Sequence, residues 1–228
     1  MSMVKDDTRP EVLMSWSGGK DSCFALYEIQ RARNYRVAAL LTTVTRDYDR
    51  ISMHGVRRQL LEQQAASLGL QLHQVLISKE ASNEEYEMEM AQAFSIYREQ
   101  GIDSIVFGDL FLADIRAYRE QFLARHSMRG LFPLWQRDTT AFIREFVESG
   151  FKAVVTCVNS AVLNQSFAGR IIDEAFLSAL PSHVDPCGEN GEFHSFVFDG
   201  PIFREAIRFS AGETVLRNSF WFCDLLPE

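Results

Sequence analysis

Short apolar runs alternate with amphipathic stretches along the first two thirds of the chain. Parallel strands joined by helices produce this pattern, because such strands are buried on both faces whereas each helix buries only one. The predicted strands lie at residues 12–16, 36–44, 70–77 and 104–107, and the predicted helices at 21–33, 56–69, 83–100 and 114–128. The sequence therefore predicts an α/β fold with a parallel sheet.

The pattern changes at about residue 130. A short strand, a helix capped by Asp138, another strand and a helix ended by Pro181 are predicted next, followed by a loop and antiparallel strands. These elements lie at residues 131–135, 138–149, 152–158, 171–180, 193–198 and about 206–222. We therefore predict two domains, residues 1–130 and a smaller C-terminal α+β domain at residues 131–228.

Charge and cysteine usage argue against several classes of protein. The formal net charge is −8 and no run of Lys and Arg occurs, so tight binding to bulk nucleic acid is not expected. The four cysteines form no CxxC pair, which argues against a disulfide scaffold and a structural zinc site. No apolar run is long enough to span a bilayer, so a cytoplasmic location with no membrane partner is predicted.

The segment SGGKDS, residues 17–22, lies between the first predicted strand and the first predicted helix. Its two glycines allow a tight turn that brings backbone amides close to an anion, and the helix start adds unpaired N–H groups. Ser17 and Ser22 add hydroxyls and Lys20 adds a charge, so the segment can hold a pyrophosphate. Its spacing matches neither the Walker A motif nor GxGxxG. Two adjacent glycines alone would equally fit an ordinary strand-to-helix turn.

In full, SGGKDS resembles the PP-loop of the N-type ATP pyrophosphatases, which cleave ATP between the α and β phosphates. The resemblance implies a five-stranded parallel sheet with helices on both faces, an adenine nucleotide alpha hydrolase-like (Rossmann-like) fold. ATP and Mg²⁺ would bind at the carboxyl ends of its strands, with Lys20 catalytic and with Asp21 and Asp109 as metal ligands. The implied nucleotide-binding residues are Ser15, Trp16, Ser17, Gly18, Gly19, Lys20, Asp21, Ser22, Thr42, Thr43, Gly108 and Asp109.

A second cluster of chemically versatile residues lies in a glycine-containing loop near residue 190. Glu189 and Glu192 are three residues apart without helical constraint, so both can point into one cleft, and His194 follows them. Such a cluster can bind magnesium, position an ammonium or amine nucleophile, or act as a general base. Composition alone leaves open a loop whose glutamates are simply solvated.

The same region carries a second resemblance. GENGEFH at residues 188–194, followed by FVFDGPIF, is similar to the C-terminal signature of the diphthine–ammonia ligase family. The segments GDLFLADIR and PLW fit as well, so the resemblance spans about residues 12–203, while residues 45–57 depart from the archaeal and eukaryotic pattern and indicate a divergent branch.

The resemblance implies an activity. Enzymes of this family adenylate the carboxylate of diphthine, a modified histidine of elongation factor 2, and ammonia then displaces AMP to leave an amide. It therefore implies an ATP-dependent amidoligase in which Glu189, Glu192 and His194 handle the acyl substrate and ammonia. The substrate would be a carboxylate on a protein side chain or on a metabolite.

Five other polar residues lie beside predicted elements. His54 and Arg57 flank a glycine at a predicted helix start, where they could bind the α-phosphate or the acyl substrate, or simply form a solvated turn. Asp109 follows the fourth strand and could hold magnesium or a ribose hydroxyl. Asn83 and Asp114 are predicted to cap helices.

Two other functions are weighed against the ligase. Sulfur transfer to tRNA also uses PP-loops, but it usually needs paired redox cysteines or a metal cluster and a basic surface. A nucleotide-binding regulator without turnover would not require both motifs to be intact. The sequence leaves the oligomeric state open, with a homodimer as one alternative.

Overall fold

The computed structural model describes residues 8–47, 50–51 and 55–228. Its first ten elements are β1 (Glu11–Ser15), α1 (Lys20–Ala32), β2 (Arg36–Thr45), β3 (Arg50–Ile51), α2 (Arg58–Leu68), β4 (Gln71–Ile77), α3 (Asn83–Arg98), β5 (Ser104–Val106), α4 (Ala113–Arg125) and β6 (Arg129–Leu131). The alternation of strands and helices predicted from the apolar runs is confirmed in this half.

Five of these strands form a parallel sheet in the order β4-β2-β1-β5-β6, and β3 pairs antiparallel with the end of β2. The chain first builds outward from β1 to β2 and β4 and then returns to place β5 on the other side of β1. The strand order therefore reverses between β1 and β5, and ligands of open α/β sheets bind at such a reversal. The loops after these two strands are neighbours for that reason.

The sheet is buried on both faces, as a parallel sheet requires. Successive β1 residues point to opposite sides: Val12 and Met14 pack with α1 and α2 in one core, whereas Leu13 packs with α3 and α4 in the other. Gly69 ends α2 in a left-handed conformation, the cap predicted from sequence. The predicted five-stranded sheet with helices on both faces is thus confirmed.

The C-terminal half contains α5 (Thr139–Glu148), β7 (Lys152–Asn159), α6 (Glu174–Ala179), β8 (Phe193–Asp199), β9 (Phe209–Arg217) and β10 (Phe220–Pro227). Its four strands form an antiparallel sheet in the order β8-β7-β10-β9. This confirms the smaller α+β region. Phe142 of α5 meets Phe24 of α1 edge to face at 5.1 Å between ring centroids, so this half packs directly on the α1 side of the parallel sheet.

Several predicted boundaries were wrong. The strand predicted at residues 131–135 is β6, which pairs with β5 and ends at Leu131, before Pro133, which has no N–H to donate to a sheet. The strand predicted at about 206–222 is two strands, β9 and β10, because Asn218 and Ser219 adopt positive φ angles of 47° and 66° and turn the chain back. The division into domains at residue 130 stays a prediction.

The helix starts also differ from prediction. Ser82, not Asn83, caps α3 by accepting a hydrogen bond from the Glu85 N–H. The residue before α4 is Leu112, so Asp114 lies within the first turn. The helix predicted from residue 171 begins at Glu174, where the Asp173 carboxylate accepts from the Phe176 N–H. None of the helices in the described ranges has the length and apolar character that a bilayer crossing requires.

Candidate active site

The SGGKDS loop connects β1 to α1 and begins the helix without a side-chain cap. Gly18 adopts a φ of +74°, which favours glycine, and Gly19 is the extended residue before the helix. The Gly19 N–H donates to Ser17 Oγ at 3.2 Å, and the hydroxyls of Ser17 and Ser22 are also 3.2 Å apart. The positive end of α1 and two hydroxyls therefore meet at one point, which is suited to a phosphate.

Lys20 is 4% exposed and its ammonium lies inside the site. Its Nζ is 2.8 Å from both carboxylate oxygens of Asp21 and 3.7 Å from Glu189 Oε1. Burial favours the neutral amine, but these carboxylates outweigh it and raise the pKa of Lys20 above its ordinary value. Lys20 is therefore a fixed positive charge between the SGGKDS loop and the loop that carries Glu189.

Gly108 follows β5 and packs against the first turn of α1. A Cβ at this position would lie 2.6 Å from the backbone carbon of Asp21 and 3.0 Å from the backbone nitrogen of Ser22. Only glycine allows this approach without displacing the loop. The structure thus gives Gly108 a packing role that the sequence did not specify.

Asp109 lies next to Gly108, with one carboxylate oxygen 2.9 Å from Arg119 Nε. Burial raises its pKa, and the nearby charge of Asp21 raises it further against the opposing effect of Arg119. Asp21 and Asp109 are thus carboxylates brought within electrostatic reach of each other by neighbouring elements. Magnesium bound with phosphates typically uses one or two carboxylates, so the pair fits the predicted metal role.

Within the described ranges, no group of three or more His, Cys, Asp and Glu side chains is arranged to hold a metal ion without help.

Glu189 projects into the site from the loop before β8, with a side chain only 11% exposed. Burial and the charge of Asp21 raise the pKa of Glu189 to about 8. His194, at the start of β8, has its pKa lowered to about 4 by burial and by the charge of Lys20. At neutral pH the site therefore holds a neutral imidazole and a carboxyl group that titrates in the physiological range.

Glu192 has a different environment from Glu189. Its carboxylate accepts hydrogen bonds from the backbone N–H groups of Asp185 and Asn190, at 3.1 and 2.9 Å, and from the Asn190 amide at 3.1 Å. The side chain is buried and does not line the cavity described below. It holds the loop in shape, so the geometry gives Glu192 a positioning role and does not support direct contact with substrate.

Apart from Gly18 and Glu192, the site residues described above line one cavity of about 1130 Å³. Its walls come from the SGGKDS loop, the ends of β2 and β5, the loop before β8, and the facing sides of α3 and α4. Ser15, Trp16 and Thr43 line it, as predicted for nucleotide contacts. Thr42 also lines it, and its buried Oγ1 has no hydrogen-bond partner among the described residues, as expected where a ligand supplies one.

The structure does not bring Arg57 to this cavity. Its guanidinium pairs with Asp224 of β10, with Nη2–Oδ2 at 2.6 Å, and Arg50 contacts the same carboxylate at 2.9 Å. The geometry gives no support to a phosphate contact by Arg57. His54, predicted beside it, lies outside the described residues.

Sequence reasoning did not single out three residues that shape the site. Arg119 pairs with Asp109, Ser195 Oγ accepts from the Lys20 N–H at 3.2 Å, and Gln64 contacts the SGGKDS loop. One signal was available for Gln64, since it is an uncharged amide on the apolar face that α2 shows in the sequence. The other two lie on elements whose long-range neighbours the sequence does not reveal.

The chain matches two family models in order. The model described as the diphthamide synthase N-terminal domain covers residues 10–130, and the one described as the diphthamide synthase C-terminal domain covers residues 138–225. The first match alone includes more than half of the chain. Both matched regions contribute to the cavity, the first with the SGGKDS loop and the second with Glu189 and His194.

Curated relatives named diphthine–ammonia ligase match most of the chain. The Danio rerio protein is 29% identical over 89% of this chain and 87% of its own length. The Homo sapiens protein is 24% identical over 89% and 84%, and the Schizosaccharomyces pombe protein is 25% identical over 94% of this chain but only 38% of its own length.

Among solved structures, one described as a predicted subunit of a tRNA methyltransferase from Methanocaldococcus jannaschii superposes with a TM-score of 0.42 at 16% identity. The superposition covers 82% of this chain and 96% of that chain, and a score this low supports no comparison of function. The two family models, matched in order along the chain, decide its affiliation: this chain belongs to the diphthamide synthase family.

Proposed function

We propose that this protein is an ATP-dependent amidoligase that adenylates a carboxylate, releases pyrophosphate and forms an amide with ammonia. The relatives' name, diphthine–ammonia ligase, makes diphthine the first candidate for the carboxylate. The observation that carries the proposal is the meeting of two loops in one cavity, where Lys20 Nζ of the SGGKDS loop lies 3.7 Å from Glu189 Oε1 of the GENGEFH loop. A phosphate-binding charge and a titratable carboxyl group can then act on one reacting centre.

In the first step, a carboxylate oxygen of the substrate attacks the α-phosphorus of ATP. The bond from that phosphorus to the oxygen bridging the β-phosphate breaks, and pyrophosphate leaves with the electron pair. The amides at the start of α1, the Ser17 and Ser22 hydroxyls and the Lys20 ammonium are fixed where this negative charge develops. Preorganised donors of this kind give the largest single contribution to many enzymatic rates.

The Lys20 charge persists through the working pH range, because its pKa is raised by Asp21 and Glu189 against the effect of burial. Asp21 and Asp109 would hold magnesium together with the phosphates, and that ion would supply further neutralisation of phosphate charge. The unpartnered Thr42 Oγ1 supplies a hydrogen bond for the rest of the nucleotide.

In the second step, ammonia attacks the acyl carbon, the bond from that carbon to the AMP oxygen breaks, and the new amide nitrogen loses a proton. Glu189 would accept this proton, and a carboxylate whose pKa is about 8 is a stronger base than an ordinary glutamate. His194 is neutral at this pH and can hydrogen-bond to the substrate. Glu192 keeps the loop that carries both residues in shape.

Product analysis of ATP turnover tests the proposal. Purified protein would be mixed with Mg²⁺, ammonium and elongation factor 2 that carries diphthine, and the nucleotide products would be separated. We expect AMP and pyrophosphate, formed only with both acceptor and ammonium, and an amide on the acceptor. Lys20→Ala and Glu189→Gln should abolish amide formation, whereas Lys152→Ala, at a lysine that pairs with Asp199 and does not line the cavity, should not.

Other products would contradict the proposal. ADP and phosphate, or no turnover despite measurable ATP binding, would favour a regulator without turnover. AMP formation without an amide on this acceptor would keep the adenylation step and direct the search to another carboxylate. A homodimer, a cytoplasmic location and weak affinity for bulk nucleic acid stay predictions.

A further inference from the structure

Gln64, in the middle of α2, is completely buried where three parts of the molecule meet. Its Oε1 accepts a hydrogen bond from Trp16 Nε1 at 3.0 Å, at the end of β1. Its Nε2 donates to the Gly18 carbonyl at 3.0 Å and to the Val197 carbonyl of β8 at 2.6 Å. One side chain therefore joins the parallel sheet, the SGGKDS loop and the antiparallel sheet.

The amide of Gln64 has only one orientation that satisfies these partners. Two of them are carbonyl oxygens, which can only accept, and the third is an indole N–H, which can only donate. Reversing the amide would place its oxygen against both carbonyls and its nitrogen against the Trp16 N–H. A carboxylate or an apolar side chain of the same size cannot reproduce the set.

The Gly18 carbonyl accepts hydrogen bonds from Gln64 Nε2 at 3.0 Å and from the Val197 N–H at 2.9 Å, and a long one from Cys23 Sγ at 3.9 Å. The C=O and N–H of one trans peptide point in opposite directions. Holding the Gly18 oxygen on the α2 and β8 side therefore directs the Gly19 N–H to the other side. On that side the Gly19 N–H donates to Ser17 Oγ at 3.2 Å, and both residues line the cavity.

The space around Gly18 supports the same assignment. A Cβ at Gly18 would lie 2.6 Å from Gln64 Oε1, so this amide fills the volume that a side chain at Gly18 would need. The adjacent Lys20 N–H donates to Ser195 Oγ of β8 at 3.2 Å. Two successive parts of the loop are thus held by the strand that begins with Phe193 and His194.

We propose that Gln64 is a positioning residue for the anion site. It ties the Gly18–Gly19 peptide to β8 and turns the N–H of that peptide, together with the Ser17 hydroxyl that accepts from it, towards the pyrophosphate. The inference rests on the proposed use of this loop for pyrophosphate. Its consequence is that the antiparallel sheet is part of the nucleotide site, although nucleotide contacts were predicted only in the first half of the chain.

The test is calorimetric binding of magnesium pyrophosphate to the full chain carrying Gln64→Glu. This change keeps the size of the side chain and the acceptor for Trp16, but a carboxyl group has at most one hydrogen to donate to the two carbonyls, and none when it is ionised. We expect affinity about tenfold weaker than wild type, the effect of losing two modest hydrogen bonds to one loop. The ratio of the variant's dissociation constant to that of wild type should become smaller as pH falls, because a protonated carboxyl regains one donor.

Two further variants separate positioning from folding. Ser67→Ala removes a contact between α2 and the antiparallel half, where Ser67 Oγ donates to the Glu205 carbonyl at 2.6 Å, but it touches no part of the SGGKDS loop. It should lower the melting temperature and leave the pyrophosphate affinity within about twofold of wild type. Gln64→Met adds no charge, so it should weaken pyrophosphate binding without the pH dependence. It replaces Gln64→Glu as the test variant if Gln64→Glu does not fold.

The outcomes are distinguishable. Wild-type protein that binds no pyrophosphate would refute the proposed function of the loop. The positioning role alone would be overturned if wild type binds pyrophosphate and both Gln64 variants bind it equally well at every pH. It would also be overturned if Ser67→Ala loses as much pyrophosphate affinity as the Gln64 variants do.

Discussion

The SGGKDS loop and the loop before β8 face each other across one cavity, yet they are stabilised in opposite ways. In the first loop, Lys20 is matched by Asp21 at 2.8 Å and the Gly18 carbonyl accepts hydrogen bonds from Gln64 and Val197. In the second, Glu189 is buried beside like charges, and its carboxyl is held partly protonated. The comparison indicates a charge-compensated loop, which we propose holds the leaving pyrophosphate, beside a destabilised carboxyl that can exchange a proton.

The largest effect is expected from removing the charge of the first loop. Lys20→Ala should lower the rate of AMP formation by about a hundredfold or more, because a fixed donor to the leaving group is lost. The change also leaves the Asp21 and Glu189 carboxylates without their shared cation. Steady-state assay of AMP release measures the effect, and a loss under tenfold would show that the backbone amides alone suffice.

The next effect concerns the packing beneath the same loop. Gly108→Ala should weaken ATP binding by about tenfold and cost about 1–3 kcal/mol in unfolding free energy, because the added Cβ overlaps the backbone of Asp21. Gly101→Ala is the matched control, since no atom lies within 4 Å of a Cβ there, although its φ of +83° adds strain. Calorimetry and denaturant unfolding separate the two effects, and equal ATP affinity in both variants would contradict the packing role.

In the second loop, substitution of Glu189 should increase stability while it removes activity. Because the pKa of Glu189 is raised to about 8 in the folded state, its ionisation opposes folding, so stability falls as pH rises from about 4.5 to 8. Glu189→Gln removes that dependence and should raise the melting temperature at pH 8 by about 2–4 °C while amide formation is lost. Melting curves of wild type and variant at pH 4.5 and 8 check the sign, and a variant that melts below wild type at pH 8 would contradict it.

The smallest effect is expected outside the cavity, at the ion pair between Arg57 and Asp224. Burial opposes ionisation of Asp224, but its hydrogen bonds from Arg57 and Arg50 prevail and lower its pKa to about 2. Asp224→Asn should therefore cost about 1 kcal/mol of stability at neutral pH, and the cost should vanish as pH falls from about 4 to 2. ATP affinity should not change, whereas a phosphate contact by Arg57 would make Arg57→Ala weaken ATP binding.

Much of the fold was predictable because its signals are local. The apolar runs of β1 and β2, the Gly69 cap and the SGGKDS segment are each encoded within about ten residues. The bounds of the short β6 were wrong, and the hairpin between β9 and β10 was predicted as one strand. The bounds of β6 depend on its pairing with β5, and the hairpin depends on two positive φ angles. The spacing of apolar residues predicts neither.

The candidate site was predictable in composition but only partly in geometry. Both motifs were recognised, but Glu189 and Glu192 look equivalent in sequence. In the structure, the turns at Gly188 and Gly191, with φ of 71° and 82°, send one carboxylate to the cavity and the other to loop amides.

The sequence by itself determined the alternating order of strands and helices, the glycine-containing SGGKDS loop after β1 and the presence of a second acidic loop. These features depend on backbone preferences and burial of neighbouring residues. Only the tertiary structure decided that Gln64 donates hydrogen bonds to the Gly18 and Val197 carbonyls, and that Arg57 pairs with Asp224 and not with a phosphate. Such contacts join residues 46 to 167 positions apart, and they form only once two sheets pack together.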